Sequence, residues 1–395
     1  MAGALAGIRV VDLTTAYSGP FCTMHLADHG AEVIKVEYPG TGDQTRHWGP
    51  FKNGASGYYH FLNRNKKGIT LNLKCGKGKE ILRKLVQTAD VLVENFKVGT
   101  LDGMGIGYEE LAKINPKLIY ASISGFGLDG PYARRPCYDV VAQAMSGIMT
   151  ITGFPGNPPT KVGPSVGDNY AGTYLALGIL FALFHRERTG LGQRVDVSML
   201  DTLFSVLENA VIMNTLAGEI PRQAGNADPS IAPFDVYAVK DGYLAVGVGS
   251  NAQWERLCRI MQREDLIHDE RFDTNGKRVA NYETDLKEIM TRWAAGYTRQ
   301  ELEETLVAAG ICVGPVLSVA EAVTHPQIRH RGMILELETQ ELGRISIPGV
   351  PIKLGASPGG IARAAPTLGE ANGELLSQLG YSAADIEELA KEEVI

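Results

Sequence analysis

Residues 8–14, IRVVDLT, form a short apolar run, after which the pattern changes period. Ser18-Gly19-Pro20 supplies a helix start with proline in the first turn, and Gly30 stops that helix before AEVIKVE resumes a strand pattern. This is a βαβ opening. The alternation continues through GITLNL, the helix-period stretch GKEILRKLVQ, the strand DVLVENF, the helix YEELAKIN and the strand LIYASIS. Apolar runs separated by amphipathic helices predict a parallel sheet covered by helices, an α/β fold with a Rossmann-like large domain.

From about residue 138 to residue 216 the pattern turns helical. DNYAGTYLALGILFALFHRERTG is apolar around nearly its whole surface and is followed by a glycine stop, which predicts a buried helix. The polar, turn-rich passage 218–233 reads as a linker. Residues 234–323 open with a strand pair around DGYLAVGVG, are otherwise mostly amphipathic helix, and predict a smaller α+β domain. Strand-like MILELE and GRISIPG follow, then a Pro/Gly-rich passage and two short helices, with no internal repeat or low-complexity tract.

Composition narrows the classes. A chain of 395 residues with 44% hydrophobic and 21% charged content is long enough to fold as two or three domains, and its net charge of −7 gives no global attraction to nucleic acid or to an anionic membrane. A polyanionic ligand therefore needs a local basic pocket. No apolar stretch reaches the roughly 18 residues of a membrane span, and the first residues lack a basic n-region, so the expectation is a cytoplasmic protein with no membrane or nucleic-acid partner. Cys22, Cys75, Cys137, Cys258 and Cys312 show no CxxC pair and no metal-ligand spacing, which predicts free thiols and no metal site.

Few local motifs carry chemistry by themselves. Gly125, Gly127 and Gly130 match G-x-G-x-x-G after a strand, but Pro131 and Pro136 interrupt the chain behind them and the first βα turn holds a single glycine, so the dinucleotide reading lacks its context. His25 and His29 are four apart on the first helix without the glutamate of a zincin and read as packing or surface residues. Asp168 stands at the entrance to the long apolar helix. A helix N-cap is one reading; the other is catalysis, since Gly167 permits close approach of a ligand. Lys66, Lys67 and Lys74 around one strand, with Arg134 and Arg135 before a Tyr-Asp pair, offer charge where open α/β sheets bind phosphate-rich ligands.

Several segments together resemble the class III CoA-transferases, the family of formyl-CoA and carnitine CoA-transferases that also includes α-methylacyl-CoA racemases. They are DLT…SGP with GAEVIKVE, NKKGITLNLK, ADVLVENF, LDGMG, NPKLIYASISGFG, YDVVAQAMSG, Gly167-Asp168, RTGLGQRVDVSML, GICVGPVLS, HPQIRHRGM and LGYS. The resemblance implies an interlocked, ring-like homodimer whose large domain uses both ends of the chain, 1–217 and 324–395. It also implies Asp168 as the catalytic aspartate, acyl-CoA and a carboxylic acid as substrates, and no tightly bound cofactor. The CoA contacts it implies are Leu71, Asn72, Leu73 and Lys74, then Asn95 and Phe96, and Tyr138 with Asp139; the basic Arg135 joins this set from the adjacent turn. Tyr17 stands where formyl-CoA transferases carry an oxyanion glutamine, and Tyr38 where they carry an adenine-side arginine.

Aspartate suits that chemistry, because its attack on a thioester gives a mixed anhydride as activated as the bond consumed. The racemase branch needs a histidine where this chain reads Cys137-Tyr138-Asp139, so the transferase is preferred over the racemase, and both over a nicotinamide oxidoreductase or a non-catalytic CoA-binding protein. The glycine-run loop of formyl-CoA transferases is missing, with VGVGSNAQW as its nearest counterpart. Oxalate is therefore not the expected acceptor; succinyl-CoA with a dicarboxylic acceptor is, with Arg46 or Arg222 as candidate clamps for the distal carboxylate.

Overall fold

The computed structural model describes residues 3–395. The chain forms two compact units. The larger takes the chain up to Ile148, from Val162 to Asn209 and from Pro326 to Ile395; the smaller takes Met149 to Lys161 and Ala210 to His325.

Six parallel strands make the sheet of the larger unit: β1 (Arg9–Asp12), β2 (Glu32–Glu37), β3 (Lys67–Thr70), β4 (Val91–Glu94), β5 (Ile119–Ser124) and β6 (Arg194–Ser198). Their order is β3-β2-β1-β4-β5-β6. The chain starts in the middle, builds outward to one edge, and then returns beside β1 to build the other half. In such a doubly wound sheet the crossovers leave β1 and β4 in opposite directions, and a crevice opens outside their carboxyl ends. The edge strand β6 was not anticipated. Its sequence RVDVS alternates exposed and half-buried positions, too weakly apolar to stand out beside a long helix.

Alternation along the strands builds two cores. Val11, Ile34, Leu92 and Tyr120 face α3 (Gly76–Gln87) and α4 (Tyr108–Ile114), and share that core with Leu375, Leu376 and Leu389 of the C-terminal helices Asn372–Gln378 and Ala383–Lys391. Val10, Val33, Val91, Val93 and Ala121 face the other way, onto α1 (Ser18–Asp28) and α6 (Val166–Thr189). In the smaller unit β7 (Phe234–Val239), β8 (Gly242–Gly247) and β9 (Cys312–Pro315) form an antiparallel sheet packed on helices around Trp254, Leu257 and Phe272.

The long helix α6 departs from expectation. Gly167, Ala171, Gly172, Leu175, Ala176, Ile179, Ala182 and Leu183 are buried. Its other face leaves Tyr174, Leu177, Leu180, Phe181 and Phe184 exposed, with Phe181 at 65%. An all-round apolar helix needs cover on every side, and within one chain the sheet and α1 supply it on one side.

Lys66 and Lys67 also depart from the ligand-facing role. Lys66 is fully buried and donates to Asp12 Oδ2 at 3.0 Å, Thr23 Oγ1 at 2.8 Å and Asn63 Oδ1 at 2.9 Å. Lys67 is a strand residue paired with Glu32 and Glu374. The Lys66 ammonium is committed inside the fold, and that of Lys67 to partly exposed ion pairs at the surface.

Where α1 crosses α6, a Cβ added at Gly172 would lie 2.6 Å from the Ser18 carbonyl oxygen and 3.1 Å from the Phe21 ring. Gly172→Ala gains about 0.5–1 kcal/mol of helix propensity and loses about 1–3 kcal/mol to overpacking against backbone that must shift. The net expectation is a lower urea midpoint with an unchanged slope; a raised midpoint would contradict the close crossing.

Candidate active site

The crevice outside β1 and β4 holds a cavity of about 450 Å³. One wall is the 14–18 turn that joins β1 to α1. Asn95, just past β4, clamps that turn: the Thr15 amide donates to Asn95 Oδ1 at 2.9 Å and Asn95 Nδ2 donates to the Thr15 carbonyl at 2.8 Å. Ala16 beside it has φ 65°, a left-handed conformation that costs a non-glycine residue energy and persists only where neighbours hold it. The turn is further pinned from below, because Lys35 Nζ donates to the Thr14 carbonyl at 2.8 Å while paired with Asp43 at 2.7 Å.

Asp168 enters the cavity from the first turn of α6. Its placement depends on α5 (Asp139–Ser146). The Gly167 amide donates to Asp139 Oδ1 at 2.8 Å, Gln143 Nε2 donates to Asp139 Oδ2 at 2.7 Å, and the Val162 amide donates to Gln143 Oε1 at 2.9 Å. Both Asp139 oxygens are occupied, and a Cβ at Gly167 would lie 3.0 Å from Asp139 Oδ1. Asp139 thus sets the start of α6 from behind rather than opening onto the cavity.

Burial pushes the Asp168 carboxyl up to about 7, with the nearby Asp139 charge acting in the same direction and a hydrogen bond from Ser18 opposing them. Burial and the Asp168 charge also hold the Tyr58 phenol up at about 12. Burial likewise holds the Cys137 thiol up at about 11, with Asp168 and Asp139 adding to the rise. The starts of α1 and α6 add partial positive charge where the carboxylate sits. The result is a carboxyl titrating near neutrality, supported by one hydroxyl and walled by Tyr17, Trp48 and Tyr58.

Of the residues expected from sequence, Asp168, Tyr17, Asn95, Phe96, Arg135 and Tyr138 line this cavity together. Asn95 gives one donor and one lone pair to Thr15, so one of each remains. Arg135 stacks on Tyr132 with its guanidinium 3.5 Å from the ring centroid. Tyr138 is 71% exposed, at the rim. Residues 71–74 and Tyr38 lie along the same sheet edge, at the ends of β3 and β2, one to two strand spacings or about 5–10 Å from β1. There Lys74 Nζ stands 5.3 Å over the Tyr38 ring. Leu71 is buried in the core, Leu73 packs against that core, and Asn72 caps the turn by accepting from the Lys74 amide at 3.1 Å.

Arg46 is drawn elsewhere: its guanidinium donates to both Glu37 oxygens and lies 3.8 Å over Tyr59. Arg222 belongs to the smaller unit. Ser18, Gln44, Trp48, Tyr58, Lys97 and Cys137 line the cavity without having been singled out as contacts. They come from loops and helix starts that the sequence pattern does not bring together. The turn-opening Ser18-Gly19-Pro20 was legible, but only as a helix start. Behind Gly125, Gly127 and Gly130 the next helix begins at Asp139, and a Cβ at Gly125 would lie 2.1 Å from Cys137 Cβ. Among the described residues no group of three or more His, Cys, Asp or Glu side chains is placed to hold a metal ion, and no helix is long and apolar enough to cross a membrane.

The doubly wound sheet thus carries, at its switch point, a half-buried aspartate carboxyl that titrates near neutrality and lines an open cavity. The family model described as CoA-transferase family III matches residues 5–372, and the chain belongs to that family. It is 43% identical over 353 residues to the acetyl-CoA:oxalate CoA-transferase of Acetobacter aceti, covering 89% of each chain. It is 41% identical to the succinate–glutarate CoA-transferase of Agrobacterium fabrum, covering 95% of each. Among solved structures, a CaiB/BaiF family protein from Brucella suis matches with a TM-score of 0.85 and 38% identity, over 96% of this chain and all of that one.

The raised Asp168 carboxyl has a consequence for stability. Between its ordinary 3.8 and about 7 the folded protein binds this proton more tightly than the unfolded chain, so its contribution to stability falls as pH rises through that window. Asp168→Asn removes the penalty. The variant is expected to be more stable than the parent above pH ~7 by on the order of 1–3 kcal/mol, after allowance for partial solvation, with the gap closing towards pH ~4. Thermal melts across pH read this out; a gap that is constant with pH would contradict it.

Proposed function

We propose that this protein is an acyl-CoA:carboxylate CoA-transferase in which Asp168 carries the CoA between two acids. The observation that carries the reading is the Asp168 carboxyl, held in the crevice by Asp139 through Gly167 and left with Ser18 as its side-chain donor. Membership of CoA-transferase family III supports it. A carboxylate so placed is poorly solvated, which raises its energy before attack and favours nucleophilic catalysis.

In the proposed sequence, an Asp168 oxygen attacks the donor thioester carbonyl and the C–S bond breaks, giving a mixed anhydride and CoA thiolate. The thiolate attacks the Asp168 carbonyl carbon, releasing the donor acid as its carboxylate and leaving an aspartyl-CoA thioester. The acceptor carboxylate then attacks that thioester to form a second anhydride and free thiolate. Finally the thiolate attacks the acceptor acyl carbon, releasing acceptor-CoA and restoring Asp168. Each step exchanges one activated acyl bond for another, so no external energy source enters. Phe96 and the rim made by Tyr38 and Lys74 would seat the pantetheine and adenine ends, with Lys97 and Arg135 supplying charge for phosphate.

The substrates follow the relatives' own names. Succinyl-CoA appears with D-citramalate for a protein of Chloroflexus aurantiacus at 37% identity and with mesaconate for one of Haloarcula hispanica at 41%. Succinyl-CoA with a dicarboxylic acceptor is therefore the favoured pair. The Acetobacter relative keeps oxalate among the acceptors to be tried. A racemase would need a second group titrating near neutrality; the histidine's place is taken by Tyr138, a phenol exposed at the rim, and the neighbouring Cys137, pushed up to about 11, is no better. The exposed apolar stripe from Tyr174 to Phe184 on α6 supports a second copy of the chain as its cover, as expected of a homodimer.

A donor-by-acceptor panel should show succinyl-CoA-dependent formation of a dicarboxylyl-CoA, with turnover falling at least about 10³-fold in Asp168→Ala. Hydroxylamine added during turnover should yield a hydroxamate on the Asp168 peptide. Near-full turnover in Asp168→Ala would overturn the reading. So would deuterium exchange at the acyl α-carbon without an acceptor acid, which points to the racemase instead.

A further inference from the structure

Tyr17 and Asn169 stand at the two helix starts that frame the cavity, Tyr17 at the N-cap of α1 and Asn169 directly after Asp168 in α6. The Tyr17 hydroxyl donates to Asn169 Oδ1 at 2.7 Å. A phenol has one proton, so a hydroxyl that gives it to an amide oxygen has only lone pairs left to offer.

Both partners are held in place. The Tyr17 ring stacks on Phe21 with centroids 5.4 Å apart and planes at 19°, and Tyr58 flanks it at 5.8 Å. The Asn169 amide donates to the Ser165 carbonyl at 3.0 Å, and Thr173 Oγ1 donates to the Asn169 carbonyl at 2.8 Å. Burial, with the charges of Tyr58 and Asp168 adding to it, holds the Tyr17 phenol above its ordinary range, so it keeps its proton wherever Asp168 titrates.

We propose that Asn169 is a positioning residue: by accepting the Tyr17 proton it keeps that donor off Asp168, so that Tyr17 walls the cavity without hydrogen-bonding the nucleophile. This rests on the reading of Asp168 as the CoA carrier. Hydrogen bonds to a charged acceptor are the strong ones, and each one a carboxylate accepts stabilises its resting charge and blunts its attack. With Asn169 removed, the phenol is free to turn its proton towards the Asp168 carboxylate, whose charge already acts on it.

The test is the pH dependence of kcat/KM for succinyl-CoA in the parent, Asn169→Ala, Tyr17→Phe and the double variant. Asn169→Ala should move the acidic limb down by about one unit and lower the plateau, because the carboxylate gains a donor. Adding Tyr17→Phe, which keeps the ring but has no proton to give, should return the limb to its parental position. An unmoved limb in Asn169→Ala, or a shift that survives in the double variant, would overturn the proposal. Titration of the Asp168 carboxyl by ¹³C NMR gives the same comparison without turnover, and Asn169→Ser serves if the alanine variant does not fold. Hydroxylamine trapping on the parent separates the two ideas: absence of a hydroxamate on Asp168 sinks the carrier reading, whereas an Asp168 titration insensitive to Asn169 sinks only the Tyr17–Asn169 couple.

Discussion

The crossing of α1 and α6 sets where the Asp168 carboxyl and the side chains nearest it stand, because two helices meet there at backbone distance with Gly172 over the Ser18 carbonyl. That contact places the first turns of both helices side by side at the switch point of the sheet. Ser18 and Tyr17 come from one, Asp168 and Asn169 from the other. Any side chain at Gly172 would drive the helices apart and carry the hydroxyl of Ser18 away from the carboxyl it supports. The carboxyl's position is thus a property of a helix pair, while the strand ends and loops supply the rest of the cavity wall.

Beneath the crevice lies a set of buried charges that a hydrophobic core would not need. Asp12 is fully buried and accepts from Lys66, Thr23 and Thr14, and Lys35 pairs with Asp43; at the far end of α1, Arg64 pairs with Asp28 at 2.6 Å. Burial pushes the Lys66 ammonium down to about 8 against the attraction of Asp12. Buried ion pairs contribute little net stability, since desolvation offsets most of their attraction, but removing one partner is expensive. Here their geometry has a visible use. Lys35 and Asp43 reach the strained 14–18 turn, and Lys66 ties the turn before β3 to β1 and α1. A turn with Ala16 at a positive φ keeps its shape because these groups leave it no alternative.

The same economy of contacts separates positioning from chemistry around Asp168. Asp139 has both oxygens engaged and acts through Gly167. Asn95 clamps Thr15 and the Tyr17 hydroxyl donates to Asn169, while Tyr17, Trp48 and Tyr58 wall the cavity that the carboxyl enters. What remains open at the wall is charge at Lys97 and Arg135 and an aromatic rim at Tyr138, groups suited to a long, anionic ligand. An apolar enclosure around a carboxylate raises its energy, and rigid neighbours keep that energy from being relieved by relaxation.

Much of this was legible in the chain itself. The apolar runs of β1, β2, β4 and β5 are short, nearly continuous and separated by amphipathic helices, so their burial on both faces could be read directly. Asp168 stood out because a charge at the head of an apolar helix is out of place without a reason, and the segments shared with CoA-transferases marked it further. The strand RVDVS escaped notice because an edge strand needs only half a pattern, and the exposed face of α6 escaped because hydrophobicity says that cover is required, not where it comes from. Tertiary structure alone decided that Lys66 points inward, that Arg46 belongs to Glu37, that Asp139 works from behind Gly167, and that Ser18, Trp48 and Tyr58 meet at the cavity. Local sequence determines which segments form and which faces must be buried, since those depend on neighbours a few residues away. Which polar side chain meets which depends on the crossing of elements up to hundreds of residues apart, and that is set by packing.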